Sequence, residues 1–165
     1  MTAAGSQQFR TRTKPQDIAS VERLVRATGV FSPAEIAIAR ELVEENLAKG
    51  DESSGYRFLI ADGAEEIDGY TCFGPISGTE GRYELYWIAV GPKSRGTNLA
   101  ERLLAATEDS VRELGGPWLF AETSTREDYA PARRFYAAHG YGLLAEIPEW
   151  HADGDGLAIY GKKLK

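Results

Sequence analysis

The apolar positions of the chain change period as it is read, and each change marks an element. Ile18, Val21, Leu24 and Val25 fall on one helical face behind a capping Asp17, and Gly29 closes that segment. Ser32-Pro33-Ala34-Glu35 opens a second helix with a cap residue, a proline at the first helical position and a Glu whose side chain can return to the cap. Ile36, Ala39, Val43 and Leu47 line its apolar face, Gly50 follows the last turn, and residues 51–55 read as a loop. The period then drops to two. Tyr56–Ala61 and Glu66–Phe73 read as strands joined by a turn at 62–65. Gly74-Pro75 breaks the second, and a turn at 77–81 leads into a third strand ending at Val90.

From Tyr83 to Leu114 a strand turns through Gly91-Pro92, passes a short basic loop and becomes a helix with Leu99, Leu103, Ala106 and Leu114 on its apolar face. Gly115-Gly116-Pro117 stops that helix, and Trp118–Thr123 forms another strand. A strand that reaches the next through a helix implies a parallel or splayed pair. A polar loop at 124–129 precedes a short helix, Ala130–Ala138, with Pro131 in its first turn and His139-Gly140 at its end. Tyr141–Ile147 is a strand, Pro148–Gly156 a loop and Leu157–Lys162 a last strand. Phe9–Thr13 alternates enough for an edge strand, and residues 1–8 are small, polar and expected to be disordered. Residues 9–165 then form one domain of mixed α/β class, with helices early, a three-strand meander and a β-α-β-α-β-β ending.

Composition narrows the chemistry. A net charge of −6 argues against a general nucleic-acid binder. One cysteine, Cys72, excludes an internal disulfide, and with only His139 and His151 the chain lacks the clustering of a metal site. No apolar run approaches a membrane span, and the start carries no apolar secretory segment, so no membrane partner and a cytoplasmic location are expected.

The loop Arg95-Gly96-Thr97-Asn98-Leu99-Ala100 opens a helix, where free backbone N–H groups and the positive end of the helix dipole favour an anion. Gly96 and Ala100 are small enough for close backbone approach, and Arg95 adds a charge suited to phosphate. The Gly-Lys-Ser/Thr of a nucleotide P-loop is absent. On the preceding strand, Glu84, Tyr86, Ile88 and Val90 share one face. A carboxylate on that face either serves a site or simply ends the strand in solvent or pairs with Arg82 or Arg57. Trp150, Asp153 and Asp155 combine an aromatic ring with two acids, a combination suited to a cationic amine, or else simply make a solvated turn.

Val90 to Leu104 reads V-x-P-x-x-R-G-x-x-x-A-x-x-L-L, which resembles the acyl-CoA-binding motif of the GNAT superfamily of N-acetyltransferases. Ala132-Arg133-Arg134-Phe135-Tyr136-Ala137-Ala138-His139-Gly140-Tyr141 resembles that superfamily's second signature. The resemblance implies a GNAT-like fold whose central strands splay to admit pantetheine, its amides paired with the backbone of Ile88, Ala89 and Val90. The pyrophosphate of acetyl-CoA would lie on the N–H groups of residues 95–100, although the motif usually has Gly where this chain has Asn98. Tyr136 would protonate the departing thiolate and Glu84 would be the base. Tyr129 stands where the family often has a cofactor-contacting Asn, and Arg133 could meet a cofactor phosphate. The acceptor would be lined by the early helices and the last loop, with Tyr86, Trp150, Asp153 and Asp155 as contacts. The expected reaction is direct acetyl transfer to a primary amine of a small molecule or amino acid, without a metal. A peptide acceptor and a non-catalytic acyl-CoA sensor are the alternatives, and the fold is compatible with a homodimer.

Overall fold

The structure is a computed structural model that describes residues 9–165; the expected disorder of residues 1–8 lies outside the described residues. Among these, six strands form one mixed sheet in the order β1-β2-β3-β4-β6-β5. The elements run α1 (Asp17–Ala27), α2 (Pro33–Ser54), β1 (Arg57–Asp62), β2 (Ile67–Pro75), β3 (Arg82–Val90), α3 (Leu99–Glu113), β4 (Trp118–Ser124), α4 (Ala130–Ala138), β5 (Gly142–Ala152) and β6 (Asp155–Lys163). Residues up to Cys72 together with Trp87–Leu103 make one compact unit, and Phe73–Tyr86 with Leu104–Lys165 make a second. β2, β3 and α3 each contribute residues to both.

In the first unit, α1 buries Val21, Leu24 and Val25, as its period requires. Asp17 does not cap this helix. It is the first helical residue, and its buried carboxylate accepts the Lys14 N–H and a bidentate pair from Arg10, whose guanidinium also reaches Asp62. Phe9–Thr13 contributes a single bridge, Arg10 to Ile60, rather than a strand. The start of α2 follows the sequence: the Glu35 N–H donates to Ser32 Oγ and the Ser32 N–H to Glu35 Oε2. Its end does not. Gly50 breaks the helical geometry with φ 78°, yet another turn follows before Gly55 caps it. Asn46 explains the extension. Its amide donates to Asp51 and to the Tyr56 carbonyl and its oxygen accepts from Thr13, so Asn46 is buried where Leu47 was expected. β2 is buried along nearly its whole length, and Tyr70 there keeps a hydroxyl with no hydrogen-bond partner among the described residues.

In the second unit, β4 pairs in parallel with β3 from Arg82↔Trp118 to Leu85↔Ala121, and antiparallel with β6 along its full length. The parallel ladder stops there, with Tyr86 and Glu122 the first residues past it. Gly116 is required by packing, because a Cβ would lie 2.6 Å from Val111 and 2.7 Å from Tyr83. The C-terminal half of α3 buries Thr107, Glu108 and Val111, whereas Leu114, expected on the apolar face, is exposed. The largest departure is β5. Most of the supposed loop Pro148–Gly156 is strand, and only the Asp153-Gly154 turn separates β5 from β6. β5 is an edge strand exposed along its length, so Pro148 breaks no ladder that the sheet needs. A register shift between Ile147 and Ala152 and a positive φ at Glu149 absorb the irregularity.

Candidate active site

The anion loop lies in the first unit. Gly91 donates its N–H to the Asp68 carbonyl at 2.8 Å, anchoring the end of β3, and a single 3-10 turn at Pro92–Ser94 leads out. Thr97 folds the loop back: its N–H and hydroxyl both donate to the Ser94 carbonyl, and its Oγ accepts the Leu99 N–H. Gly96 holds φ 78°, a conformation open to glycine at little cost, and a Cβ there would meet nothing within 4 Å. Arg95 through Asn98 are exposed, and the Asn98 carbonyl accepts the first helical bond, from Arg102. Helix geometry leaves the N–H groups of Ala100 and Glu101 without intrahelical acceptors. An exposed turn with free amides and no side chain over Gly96 fits a pyrophosphate. The Glu101 carboxylate in the first turn works against it, while the Arg95 guanidinium donates to the Thr28 carbonyl at 3.3 Å.

The second unit holds the ionisable side chains. Glu84 pairs in register with Phe120, and Phe120 with Gly161, so these residues share one face of the sheet. Glu122, two residues along β4, shares that face. Glu84 is half-buried and has no cationic partner among the described residues; Arg82 donates to the Glu80 carbonyl and Arg57 pairs with Asp51. Burial, and then the charge of Glu122, push the Glu84 carboxyl up to about 7. Tyr136 stands on the opposite face. Its ring is 5.8 Å from that of Tyr160, which neighbours Gly161 and therefore projects the other way, and 5.6 Å from that of Tyr141. Tyr136 is buried, and burial pushes the pKa of its phenol well above the ordinary value.

The model of the acetyltransferase (GNAT) family matches residues 24–141. The chain belongs to the GNAT acetyltransferase family. A crystal structure from Desulfovibrio desulfuricans, of a protein assigned to this family as an acetyltransferase, is 43% identical, with a TM-score of 0.92 over 95% of this chain and 98% of that one. An aminoglycoside 6'-N-acetyltransferase complexed with coenzyme A shares 17% identity and a TM-score of 0.74 over 96% of both chains. Ard1 from Thermoplasma volcanium shares 21%, with a TM-score of 0.71 over 93% of this chain and 96% of that one. At those identities both show the fold alone. None of the curated protein sequences matches significantly.

Within this GNAT chain the remaining expected residues have distinct fates. Arg133 donates to the carbonyls of Ser124 and Arg126 at 2.7 and 2.8 Å, which secures the turn before α4. Asp155 accepts from the Ser124 hydroxyl and lies 3.8 Å from Arg126, so its carboxylate is already engaged. Tyr129 precedes α4 with its ring under the Arg126 guanidinium. Tyr86 donates to the Pro75 carbonyl at 3.3 Å. Trp150 is 61% exposed on β5, and Asp153 occupies the turn after it. Ile88 and Val90 are half-buried and Ala89 is buried on β3. Sequence reasoning missed Glu122, Tyr141 and Tyr160. Glu122 needed the β3–β4 register and the tyrosines needed the tertiary packing, so no local signal pointed to them. A separate cleft of about 530 Å³, lined by Thr11, Arg12, Thr13, Asn46, Gly50 and Asp51 among others, contains none of the expected residues.

Proposed function

We propose that the protein is an acetyl-CoA-dependent N-acetyltransferase acting by direct attack of a primary amine, its acceptor a small molecule or amino acid. The observation that carries this reading is the pairing of a half-buried carboxylate, Glu84, with a buried phenol, Tyr136, on opposite faces of one sheet. When bound, acetyl-CoA supplies the activated acyl group. The loop 95–100 would hold its pyrophosphate through the backbone N–H groups other than those of Arg95, Thr97 and Leu99, which are donated within the turn, and the backbone of Ile88, Ala89 and Val90 would pair with the pantetheine amides.

Glu84 with a carboxyl near 7 is a base matched to neutral pH, able to take a proton from an alkylammonium that water would hold to about 10. The amine nitrogen forms the amide as the carbon–sulfur bond breaks. The Tyr136 hydroxyl, protonated throughout the working range, donates to the departing sulfur. Cys72 is buried and its thiol is pushed up, which suits a mechanism without a covalent enzyme intermediate. Trp150 and Asp153 remain the proposed acceptor contacts on the β5 side, with Tyr86 beside Glu84 on β3.

A peptide acceptor is the second reading. The acidic chain, which would attract basic peptides, favours it. A cytoplasmic location belongs to the same proposal, because the donor is an intracellular metabolite. Thiol release from acetyl-CoA, measured over alkyl amines, amino acids, polyamines and basic peptides, tests the assignment. Turnover confined to small amines supports it, and turnover confined to peptides replaces the acceptor class. Acetyl-CoA binding by calorimetry with no turnover on any arm identifies an acyl-CoA sensor.

A further inference from the structure

We propose that Glu108 is a positioning residue for the Tyr136 phenol, acting through Tyr141; the inference rests on the reading of Tyr136 as the acid. Glu108 lies on the buried face of α3 and is 6% exposed. A carboxylate there costs free energy unless it is paired and hydrogen-bonded. It is both. Lys162 Nζ lies 2.9 and 3.1 Å from its two oxygens, Arg112 is 4.0 Å away, and the Tyr141 hydroxyl donates to Oε1 at 3.1 Å.

Such a cluster is weak evidence of a stability role, because well-packed apolar residues commonly do as well. It does fix one ring. Tyr141 has its hydroxyl tied to Glu108, its backbone N–H donated to the Tyr136 carbonyl at 3.0 Å and its face 5.6 Å from Lys162 Nζ. That ring is 5.6 Å from Tyr136. Phe135 and Tyr160, each 5.8 Å away, are the other aromatic neighbours of Tyr136. Among the described residues, Tyr141 is the only one of these three whose ring is tethered by a hydrogen bond. The buried carboxylate therefore sets, at one remove, where the Tyr136 ring can lie. A proton donor displaced by a fraction of an ångström loses much of its effect.

Tyr141→Phe removes one oxygen and keeps the ring. With acetyl-CoA and the best acceptor among the alkyl amines, we expect turnover to fall about tenfold while KM for acetyl-CoA stays within about twofold. On a Tyr136→Phe background the same change should cost nothing further. Glu108→Gln, which still accepts from the Tyr141 hydroxyl, should recover most of the turnover that Glu108→Ala loses. Unchanged turnover in Tyr141→Phe, or losses that add in the double variant, overturns the proposal while leaving the acid role intact. Full turnover in Tyr136→Phe overturns the acid role itself. Ring-labelled tyrosine NMR needs no acceptor. A Tyr136 signal that shifts or broadens in Tyr141→Phe supports the tether, and one that stays sharp and unmoved refutes it.

Discussion

The loop at Arg95–Ala100 offers backbone N–H groups from an exposed turn, whereas Glu84 and Tyr136 each offer one functional group from a side chain held inside the second unit. The two regions answer to different physics. Backbone donors survive most substitutions, because their position depends on φ and ψ rather than on side-chain identity. A side-chain acid or base disappears with a single change, and its chemistry depends on what buries it. Under the proposed function the loop would govern donor affinity and the buried pair the rate, so substitutions in the two regions should fall on different kinetic constants.

Tyr136→Phe should break that division most visibly if it is wrong. We expect turnover to fall about 100-fold, the order of one lost general acid, with KM for acetyl-CoA unchanged. Steady-state kinetics with varied acetyl-CoA checks it, and a KM effect without a turnover effect would move Tyr136 to the binding side.

Glu84→Gln comes next, with an expected loss of about 30-fold near pH 8. The carboxyl sits at about 7, so below that pH it keeps its own proton and cannot take another. Parent activity should therefore rise through pH 7, and the variant should lack that rise. The two should converge near pH ~10, where the amine sheds its proton unaided. Stability runs the opposite way. The folded state holds this proton up to about pH 7, while the unfolded chain releases it near ~4.3, so the contribution of Glu84 to stability falls as pH rises through that window. Thermal unfolding should show Glu84→Gln above the parent at pH 8 and level with it at pH 4. A variant less stable at pH 8 would mean that the carboxylate has a partner in the fold.

The sequence made one of these regions more legible than the other. The loop is local: a strand, Gly96 and a helix start can be read without knowing what packs around them, and the same holds for the Ser32 capping box and for α4, found at Ala130–Ala138 as expected. What needed the tertiary fold was missed. Glu122 acquires meaning only through the Glu84↔Phe120 register. Glu108 is distinguished from the other charges of α3 only by Lys162 and Tyr141, which are far from it in sequence. The loop expected at Pro148–Gly156 is mostly strand, and Pro148 is tolerated there because β5 is an edge. Gly50 was read as a helix end because nothing in its own neighbourhood announces that Asn46 will tie the next turn down.

Gly96→Ala tests the loop half. At φ 78° an L side chain costs about 1–2 kcal/mol, which the loop can relieve only by turning its amides away. Affinity for acetyl-CoA should weaken by up to about tenfold while turnover at saturation is retained. A drop in saturated turnover with unchanged affinity would show that this turn serves the chemistry rather than the pyrophosphate.

Asn98→Gly carries the smallest expected effect and separates backbone from side chain most sharply. The related motif usually places Gly here, so the substitution restores the common residue. Among the described residues Glu149 is the only non-glycine at positive φ, so Asn98 is not strained as Gly96 would be if it carried a side chain. Its carbonyl, which accepts the Arg102 N–H at 3.0 Å, is present in either residue. Glycine would add only flexibility at the helix start, worth a few tenths of a kcal/mol at such a position. Acetyl-CoA affinity by calorimetry should therefore change by less than about twofold, the equivalent of roughly 0.4 kcal/mol. A tenfold gain would mean that the Asn98 side chain obstructs the anion, and a tenfold loss that it contacts the anion. Either result would show that this loop depends on a side chain at Asn98 and does not recognise the donor through its backbone alone.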